Sequence, residues 1–465
     1  MPLDAGLLGD LAGIVGPHHV IVDPAIRAGY EVDWTGRFRG RAGAVLRPGD
    51  LAETAAVVEL CRQHGIGLVP QGGNTGLVGG GVPADAAYDV VVLSTRRISW
   101  IGDPDAVPGQ VAVGAGTTLA ELQRALGRAG AELGVDLASR DSATVGGMAA
   151  TNAGGMRVMS HGTMRAQVTG IEVVLGDGRI VSQMRGLSKD TSGYDLSGLV
   201  VGSEGTLGVL TALRLKTIQL AERRAVAMIG VATIEAAVEI ALGLSRDRDA
   251  GLRAAEVVRG ATIERTCAAR GTAPPYEGRH DWHLLVECAG NLDPLPAMAR
   301  VLGDHAGLIG GSALAGEGRQ LSEIWAHRER LTEVLARLGP PRKLDVSLPL
   351  AAMGAFVEGG AAALGRLVPG AEMHVFGHLL DGNLHLNVLG VPDDAGEAVD
   401  GALLRLTVDA GGSIGAEHGI GRAKRQWLHL VRPPDEIEVF RRVKQAFDPE
   451  GILNPGCLLP DPLPA

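Results

Sequence analysis

A glycine-rich segment reads Val69-Pro70-Gln71-Gly72-Gly73-Asn74-Thr75-Gly76-Leu77-Val78-Gly79-Gly80-Gly81-Val82-Pro83 and comes directly after a strand-like run. Its exposed backbone amides are suited to form a nest around a pyrophosphate. The segment lacks the Lys-Ser/Thr pair of a Walker A motif, and it is not a GxGxxG segment that opens a helix. Nucleotide binding by a different fold therefore remains open.

Two further clusters of small residues follow it. They read Asp141-Ser142-Ala143-Thr144-Val145-Gly146-Gly147-Met148-Ala149-Ala150-Thr151-Asn152-Ala153-Gly154-Gly155 and Gly202-Ser203-Glu204-Gly205-Thr206-Leu207-Gly208-Val209. Small side chains would let a flat ring or a phosphate approach the backbone closely. One such cluster is more often a plain turn, but three in one domain favour a cofactor site. Glycine supplies 69 of the 465 residues, which is about twice the usual share.

Local patterns indicate mixed α/β or α+β structure up to about residue 218. The segments 50–65 and 118–127 predict capped helices, because each starts on an N-cap residue, has Glu three positions later and ends on Gly. Strand-like runs lie at residues 67–69, 90–93, 111–113, 171–174 and 179–181. A second domain is expected from about residue 219, with an amphipathic helix at 233–244 and a final helix at 434–447.

A second informative stretch reads Phe376-Gly377-His378-Leu379-Leu380-Asp381-Gly382-Asn383-Leu384-His385-Leu386-Asn387. Asp-Gly between two apolar runs predicts a β-hairpin with a two-residue type I′ turn. That turn would place His378 opposite His385, with Cβ atoms about 5 Å apart, and Asn387 would project from the same face. Packed or solvent-facing histidines are the alternative, but a cross-strand pair indicates a metal site.

A third metal ligand is offered by the segment Gly415-Ala416-Glu417-His418-Gly419-Ile420-Gly421. Two imidazoles and the Glu417 carboxylate, with one coordination position open, suit a catalytic divalent ion. Zinc is the favoured ion, while manganese, iron and cobalt remain open.

Composition limits the other classes of function. The chain is 46% hydrophobic and 21% charged, which indicates a folded protein of two or three domains. The net charge of −10 disfavours nucleic acid as a partner. The four cysteines have no CxxC spacing, so they are expected to be buried apolar residues rather than ligands or disulfides. No segment resembles a signal peptide or a membrane span, and we expect a cytoplasmic protein.

Residues 39–218 resemble the FAD-binding domain of the vanillyl-alcohol oxidase and p-cresol methylhydroxylase superfamily, and the remainder resembles the C-terminal domain of its FAD-linked oxidases. The resemblance implies an α+β fold, with a two-lobed FAD-binding domain and an α+β cap domain that contains an antiparallel sheet. It also implies an N-terminal segment at 1–38, a substrate domain with the metal site at 219–420, and a C-terminal segment at 421–465 that returns to the flavin.

The resemblance implies which residues contact FAD. The loop from Pro70 to Leu77 would hold the pyrophosphate, the second cluster would line the flavin, and the third would support its adenosine and flavin ends. The implied contacts are Pro70, Gln71, Gly72, Gly73, Asn74, Thr75, Gly76, Leu77, Asp141, Ser142, Thr144, Val145, Gly146, Gly147, Asn152, Gly154, Glu204, Gly205, Gly208, Val209 and Asn454. Some members tether the flavin through a His at the position of Asn74, so non-covalent FAD is expected here.

The set His378, His385, Glu417 and His418 resembles the metal and catalytic residues of the D-2-hydroxyacid dehydrogenase branch. This branch includes D-2-hydroxyglutarate, D-lactate and glycolate dehydrogenases. The resemblance implies hydride transfer to flavin N5, with His418 as the base and the other three residues as metal ligands. Glu417 and His418 could exchange roles, but neighbours in an extended segment point in opposite directions and are not expected to bind the same ion.

Substrate-binding residues are implied by the segments 328–332 and 343–349, which look like the D-2-hydroxyglutarate version. Arg328, Thr332 and Lys343 would hold a distal carboxylate, and Asn387 and His418 would lie near the hydroxyl end. Arg328 and Thr332 are four apart and are expected on one helix face. A cation about 4 Å from a carboxylate is worth about 4 kcal/mol before desolvation at an effective dielectric near 20, which favours a dicarboxylate. Ordinary salt bridges on a solvated helix are the alternative.

Other functions remain open. They are a D-lactate or glycolate dehydrogenase on the same scaffold, non-redox alkyl transfer as in a flavin ether-lipid synthase of this fold, and a binding protein whose glycine clusters are turns. The expected partners are a small anionic 2-hydroxy acid and an electron acceptor, which is an electron-transfer flavoprotein, a quinone or a cytochrome. The sequence does not determine that acceptor, oxidase or dehydrogenase behaviour, or the oligomeric state, for which a homodimer is one option.

Overall fold

A computed structural model describes residues 3–84, 89–104, 106–187, 189–316 and 318–461. The chain divides into two compact units. Unit 1 comprises residues 1–154, 161–220 and 418–465, and unit 2 comprises residues 155–160 and 221–417. Within the described residues, every helix is too short or too polar to span a membrane.

The helices are α1 (Ala5–Val15), α2 (Pro24–Arg27), α3 (Leu51–Gln63), α4 (Leu119–Arg128), α5 (Val145–Ala150), α6 (Val158–His161), α7 (Met164–Gln167), α8 (Leu196–Val200), α9 (Ile234–Arg246), α10 (Gly260–Arg270), α11 (Leu295–Asp304), α12 (Gly318–Glu329), α13 (Leu331–Leu338), α14 (Met353–Leu367), α15 (Gly396–Asp409) and α16 (Pro434–Phe447). The strands are β1 (Val20–Ile21), β2 (Val45–Leu46), β3 (Gly67–Gln71), β4 (Val90–Ser94), β5 (Gln110–Gly114), β6 (Ala131–Glu132), β7 (Val168–Val174), β8 (Ile180–Ser182), β9 (Val209–Lys216), β10 (Ile218–Gln219), β11 (Arg223–Val231), β12 (Leu252–Arg259), β13 (Trp282–Gly290), β14 (Gly311–Ala315), β15 (Arg342–Ser347), β16 (Glu372–His378) and β17 (Asn383–Leu389).

Unit 1 has two lobes, each with its own four-stranded sheet. The first sheet has the order β1-β2-β4-β3, in which β2 and β3 both run parallel to β4. The second sheet is antiparallel, with the order β5-β9-β7-β8. Separate apolar cores accompany them, one that includes Val57, Leu68 and Leu93 and another that includes Leu122, Ile171 and Leu213. The predicted two-lobed FAD-domain architecture is confirmed.

The predicted capped helices of unit 1 form within one or two residues of their expected bounds. The Asp50 carboxylate accepts a hydrogen bond from the Glu53 amide at 2.8 Å at the start of α3. Thr118 and Glu121 form a reciprocal capping box at the start of α4. Such caps satisfy amides that the helix leaves without intrahelical partners, which is why the local sequence specifies both starts.

Unit 2 is built on a seven-stranded antiparallel sheet with the order β14-β11-β13-β12-β16-β17-β15. One apolar cluster packs residues of this sheet, such as Met228 and Phe376, against residues of α10, α12 and α13, such as Ile263, Trp325 and Leu335. This α+β architecture confirms the predicted cap domain with an antiparallel sheet. The sheet brings together strands that are far apart in sequence, and β16 and β17 lie beside β12 and β15.

The hairpin of β16 and β17 corrects the predicted register. His378 lies opposite Asn383, and His385 lies opposite Phe376. The two histidines are therefore diagonal neighbours rather than direct cross-strand partners. The register differs from the predicted one by two residues, and a shift of two keeps every side chain on its original face. Both imidazoles consequently still lie on the same face of the sheet.

A four-residue turn, Leu379 to Gly382, replaces the predicted type I′ turn. Gly382 has a φ of +69°, but Asp381 does not have a positive φ, whereas a type I′ turn requires positive φ at both central residues. Leu379 is fully buried, and its amide donates to the Ala255 carbonyl of β12 at 2.8 Å. Because Leu379 is held against the neighbouring strand, the turn begins earlier than the Asp-Gly pair indicates.

Candidate active site

Polar residues occupy one face of four neighbouring strands in unit 2. We call this set the polar sheet face. It consists of Glu256 on β12, His374 and His378 on β16, Asn383, His385 and Asn387 on β17, and Lys343 and Asp345 on β15. The register pairs Glu256 with His378, His378 with Asn383, His385 with Asp345, and Asn387 with both His374 and Lys343. Apolar residues such as Leu384 and Leu386 alternate with these positions and point to the other face.

The His378 imidazole lies between two carboxylates. Its Nδ1 is hydrogen-bonded to Oε1 of Glu256, and its Nε2 lies 3.3 Å from Oε1 of Glu417. Burial opposes a charge on this imidazole, but Glu256 and Glu417 together raise its pKa well above the usual value. The ring is therefore fixed at Nδ1, and its Nε2 is directed at Glu417.

His385 repeats this arrangement with different partners. Its Nδ1 lies 3.0 Å from Oδ1 of Asp345, and its Nε2 lies 3.5 Å from Oε1 of Glu417. Burial lowers the pKa of His385 despite its acidic neighbours, which favours the neutral imidazole. The two rings are 5.1 Å apart between centroids and nearly perpendicular. One carboxylate oxygen thus lies close to the Nε2 atoms of both rings.

Glu417 is held in place by its own backbone contacts. Its amide donates to Oδ2 of Asp345 at 2.8 Å, and its Oε2 accepts from the Gly155 amide at 2.8 Å. These contacts direct Oε1 toward the imidazoles. The structure therefore brings together the three residues that the sequence predicted as metal ligands.

The chemistry of these donors fits a divalent ion. Two ligand atoms bound to zinc at about 2.0–2.2 Å lie about 3.3 Å apart when the angle between them is tetrahedral, and the two Nε2 to Oε1 distances are 3.3 and 3.5 Å. A carboxylate on Nδ1 orients a metal-binding imidazole and fixes its tautomer. An oxygen of Asp345 also lies within 4.8 Å of ligand atoms of His385 and Glu417, but its oxygens already accept from His385, Asn383 and the Glu417 amide. We therefore assign Asp345 to orientation rather than ligation.

Lys343 and Asn387 lie opposite each other on β15 and β17. Asn387 is buried, whereas Lys343 is half-buried. Desolvation lowers the pKa of the Lys343 ammonium to about 8. Both side chains share the polar sheet face with His385 and Asp345, as the predicted substrate-binding role requires.

Arg328 and Thr332 correct a second expectation, because they do not share one helix. Arg328 lies near the end of α12, Thr332 lies in α13, and Arg330 separates the two helices. Arg328 is buried, and its Nε donates to Oε2 of Glu256. Its guanidinium carbon also lies 4.7 Å from the centre of the Phe376 ring.

The first two glycine clusters of unit 1 pack directly on each other. A Cβ atom added to Gly72 would lie 2.1 Å from Oγ1 of Thr144, and one added to Gly73 would lie 1.8 Å from the Ser142 carbonyl oxygen. Neither position has room for a side chain. Asn74 follows with a φ of +53° and donates to the Val32 carbonyl at 2.9 Å. Glycine is therefore required here by close backbone approach.

The third cluster is linked to the chain after His418. Oε1 and Oε2 of Glu204 accept from the Ile420 and Gly421 amides at 2.8 and 2.7 Å. Asn454 donates to the Glu204 carbonyl at 2.7 Å. The side chains of Glu204 and Asn454, which the resemblance implies as FAD contacts, thus hold backbone segments together. His418 itself is half-buried, follows Glu417 directly, and begins the last part of unit 1.

A cavity of about 450 Å³ opens beside the first cluster in unit 1. Its lining residues are Gly29, Tyr30, Val32, Trp34, Gln71, Gly72, Gly73, Asn74 and Arg96. Backbone amides, aromatic rings and one arginine suit an anionic, ring-bearing ligand. The residues of this cavity therefore suit a phosphate-bearing part of a dinucleotide such as FAD.

The predicted cofactor residues differ in exposure. Those that are buried are Gln71, Thr144, Val145, Gly146, Gly154, Glu204, Gly205, Gly208, Val209 and Asn454. Those that are half-buried are Pro70, Gly72, Gly73, Asn74, Thr75, Leu77, Gly147 and Asn152, and those that are exposed are Gly76, Asp141 and Ser142.

Two family models match this chain. The FAD binding domain matches residues 42–183, and the C-terminal domain of FAD linked oxidases matches residues 220–458, more than half of the chain.

The chain belongs to the FAD-linked oxidases.

Similar proteins agree with this membership. The mitochondrial D-2-hydroxyglutarate dehydrogenase of Bos taurus and the D-2-hydroxyglutarate dehydrogenase of Xanthomonas citri are both 34% identical to this FAD-linked oxidase. The first match covers 97% of this chain and 83% of the relative, and the second covers 94% and 93%. A protein of Schizosaccharomyces pombe, provisionally assigned as a mitochondrial D-lactate dehydrogenase, is 31% identical over 93% of this chain and 85% of its own.

Solved structures share the fold. p-Cresol methylhydroxylase with substrate bound has a TM-score of 0.74 at 15% identity, and the match covers 97% of this chain and 96% of that one. An alkyldihydroxyacetonephosphate synthase has a TM-score of 0.75 at 15% identity, covering 97% and 85%. The family and the fold class predicted from the sequence are confirmed.

Sequence reasoning missed two residues of this FAD-linked oxidase that orient the imidazoles. Glu256 lies 122 residues before His378, and Asp345 lies 40 residues before His385. Each is a single acidic residue within an apolar strand-like run, which is a signal for a buried and paired charge. Without the sheet order, that signal does not identify the partner.

Proposed function

We propose that this FAD-linked oxidase oxidises a D-2-hydroxy acid, with D-2-hydroxyglutarate as the preferred substrate and 2-oxoglutarate as the product. The observation that carries the proposal is the convergence of the His378 and His385 Nε2 atoms on one oxygen of Glu417. The identity of 34% to two D-2-hydroxyglutarate dehydrogenases supports the choice of substrate class.

The reaction removes a proton from the hydroxyl oxygen and a hydride from the α-carbon, which leaves a carbonyl group. Bound FAD supplies the two-electron acceptor, since flavin N5 takes up hydride. A divalent ion held by His378, His385 and Glu417 would supply a Lewis acid that lowers the pKa of the substrate hydroxyl. The side chains of this chain must then orient the acid and accept its proton.

We assign proton uptake to His418. An imidazole nitrogen with a free lone pair can accept a proton from a hydroxyl within hydrogen-bond reach. Its neighbour Glu417 directs one oxygen at the imidazoles and uses the other to accept from Gly155, which suits a ligand better than a base. The two adjacent residues therefore have separate roles.

The preference for a dicarboxylate rests on Lys343 and Arg328, while Asn387 would lie near the hydroxyl end of the acid. Lys343 and Asn387 share the polar sheet face with the proposed ligand His385, and Arg328 adds a second cation that is bonded to Glu256 of the same face. An ammonium or guanidinium forms charge-assisted hydrogen bonds with a carboxylate. These groups would bind the distal carboxylate, which D-lactate and glycolate lack.

A D-lactate or glycolate dehydrogenase is the second candidate. One observation in the chain favours it, because Arg328 already donates Nε to Glu256 and stacks on Phe376. Part of its hydrogen-bonding capacity is therefore used within the protein. If Arg328 were only structural, kcat/KM for D-lactate or glycolate would be at least as high as kcat/KM for D-2-hydroxyglutarate.

A dye-linked substrate panel tests the proposal. The reconstituted enzyme would be assayed with D-2-hydroxyglutarate, D-malate, D-lactate and glycolate, before and after removal of metal by a chelator. We expect the highest kcat/KM for D-2-hydroxyglutarate. Activity on this acid should be lost when the chelator removes the metal, and it should return when zinc is added. Full activity after verified metal removal would contradict the metal assignment. A higher kcat/KM for D-lactate than for D-2-hydroxyglutarate would favour the second candidate. If none of the acids reduced the dye, the proposed oxidation would be wrong and non-redox alkyl transfer would be the remaining enzymatic alternative.

A further inference from the structure

Glu256 is a buried carboxylate with two functional partners. It lies on β12 directly opposite His378, and its side chain is 0% exposed. Oε1 is hydrogen-bonded to Nδ1 of His378, and Oε2 accepts from Nε of Arg328. One carboxylate thus joins a proposed metal ligand to a proposed substrate-binding cation.

We propose that Glu256 is a positioning residue that links metal binding to recognition of the substrate's distal carboxylate. The inference rests on the proposed function, because it takes His378 as a metal ligand and Arg328 as a contact of the dicarboxylate. Glu256 itself touches neither the ion nor the acid. It orients the His378 ring on one side and fixes the Arg328 guanidinium on the other.

The energetics of burial explain why these contacts belong together. A carboxylate with no exposed surface is stable only when it is paired and hydrogen-bonded. Arg328 supplies the opposite charge, and it is itself confined between Glu256 and the Phe376 ring. A change at Glu256 must therefore disturb both the imidazole and the guanidinium.

Asp345 provides a matched comparison on the same face. It is also buried, and it hydrogen-bonds Nδ1 of His385 as Glu256 does with His378. Its second oxygen, however, accepts from the Glu417 amide. Asp345 thus connects one proposed metal ligand to another, whereas Glu256 connects a metal ligand to Arg328. The two carboxylates should differ in their effect on substrate choice.

An amide at position 256 cannot replace the carboxylate. His378 Nδ1 donates when Nε2 binds a metal, and Arg328 Nε always donates. Glutamine offers one accepting oxygen, and its NH₂ group would face the other donor. Glu256→Gln therefore weakens both links, because neither donor any longer faces a negative charge, while the size of the side chain is kept.

The test compares Glu256→Gln with Asp345→Asn in the FAD-reconstituted enzyme. Titration with zinc chloride would measure the metal dissociation constant, and dye-linked assays at saturating zinc would measure the ratio of kcat/KM for D-2-hydroxyglutarate to that for D-lactate. We expect both variants to weaken zinc binding by about 10- to 100-fold. Only Glu256→Gln should also lower the substrate ratio, by about tenfold, for loss of a hydrogen bond to a charged group.

A second variant keeps the test decisive if Glu256→Gln does not fold. Glu256→Met combined with Arg328→Met removes both charges at once, and such neutral replacement of a buried pair is often tolerated. Its zinc affinity is the deciding readout, because Arg328 is not a proposed metal ligand, whereas loss of Arg328 would by itself lower the substrate ratio. Zinc binding should weaken as in Glu256→Gln, and unchanged zinc binding would overturn the link to His378.

The possible results separate the two proposals. Unchanged zinc binding and an unchanged substrate ratio in a folded Glu256 variant would overturn the linking role. An equal fall in the ratio for Asp345→Asn would overturn it as well. A wild-type enzyme that binds no zinc, or that oxidises none of the acids, would overturn the proposed function first and the linking role with it.

Discussion

The candidate FAD site of unit 1 is made largely of backbone, whereas the candidate metal site of unit 2 is made of side chains. Gly72 and Gly73 lie so close to Thr144 and Ser142 that neither has space for a Cβ atom. In unit 2, by contrast, the Glu417 carboxylate and two imidazoles converge from a sheet and a loop, and each imidazole is oriented by a further carboxylate.

This contrast determines how each site should fail. A site built by close backbone packing is disrupted when an atom is added, because closely packed atoms have little room to move. A site built from converging side chains is disrupted when a charge or a lone pair is removed. Substitutions of the two kinds should therefore have separable effects on FAD content and on metal content.

The largest effect is expected for Glu417→Gln. The amide keeps the size of the side chain but removes the charge that faces both imidazoles. Loss of a catalytic ion is worth several kcal/mol, so kcat/KM for D-2-hydroxyglutarate should fall by about 10³-fold. Elemental analysis of metal and absorbance of the flavin would be measured together, and only the metal should be lost.

A suitable control for this change is Glu358→Gln on α14. The Glu358 side chain is 70% exposed and pairs with Arg259 at 3.0 Å, so its loss should change kcat/KM by no more than about twofold. The prediction is wrong if Glu417→Gln retains both its metal and more than a tenth of the activity.

Gly73→Ala should have the next largest effect and should act on unit 1. The added Cβ would meet the Ser142 carbonyl oxygen at 1.8 Å, and relief of such overpacking costs about 1–3 kcal/mol. The FAD dissociation constant should rise by about 10- to 100-fold, as measured by flavin fluorescence, while metal content stays unchanged.

Gly127→Ala on α4 is the control in unit 1. A Cβ atom at Gly127 would have no neighbour within 4 Å, and Gly127 is not one of the implied FAD contacts, so FAD affinity should remain that of the wild-type protein. Equal FAD affinity in both variants would show that the close approach at Gly73 does not support cofactor binding.

Lys343→Met should have a smaller and substrate-dependent effect. A hydrogen bond to a charged group is worth about 1.5–3 kcal/mol, so kcat/KM for D-2-hydroxyglutarate should fall at least about tenfold. The value for D-lactate should change little, since that acid has no distal carboxylate. A parallel loss on both acids would remove Lys343 from the recognition of the distal carboxylate.

The sequence predicted those parts of the fold that depend on local signals. Both ends of α16 and the N-caps of α3 and α4 were predicted from residues within one or two helical turns. The hairpin register was wrong, because it depends on a contact between Leu379 and Ala255, far apart in sequence. The prediction that both histidines share a face remained correct, since the error was an even number of residues.

The candidate site shows the same division. The proposed metal ligands His378, His385 and Glu417 are predicted from short motifs, and the structure brings them together. Glu256 and Asp345 could not be assigned, because only the order of β12, β16, β17 and β15 in the sheet makes them neighbours of the histidines. Pair interactions across a sheet are set by long-range topology, which local sequence patterns do not reveal.

The smallest predicted effect concerns pH and again Lys343. Burial disfavours its charged form, and desolvation lowers its pKa to about 8. The ammonium is therefore largely protonated below pH 8 and becomes neutral above it. Only the charged form attracts a distal carboxylate, so recognition of a dicarboxylate should weaken as the pH rises through this range.

We therefore expect the ratio of kcat/KM for D-2-hydroxyglutarate to that for D-lactate to fall between pH 8 and 9. For a pKa near 8 the protonated fraction drops by about fivefold over that interval, which sets the upper limit of the change. Taking the ratio cancels the titration of groups that act equally on both acids. Lys343→Arg keeps its charge throughout this range and should show a flat ratio. A wild-type ratio that does not change with pH would have two explanations: substrate binding raises the pKa of Lys343 beyond 9, or the lysine does not contact the distal carboxylate. The Lys343→Met variant distinguishes them, because it lowers the ratio only if the lysine makes that contact.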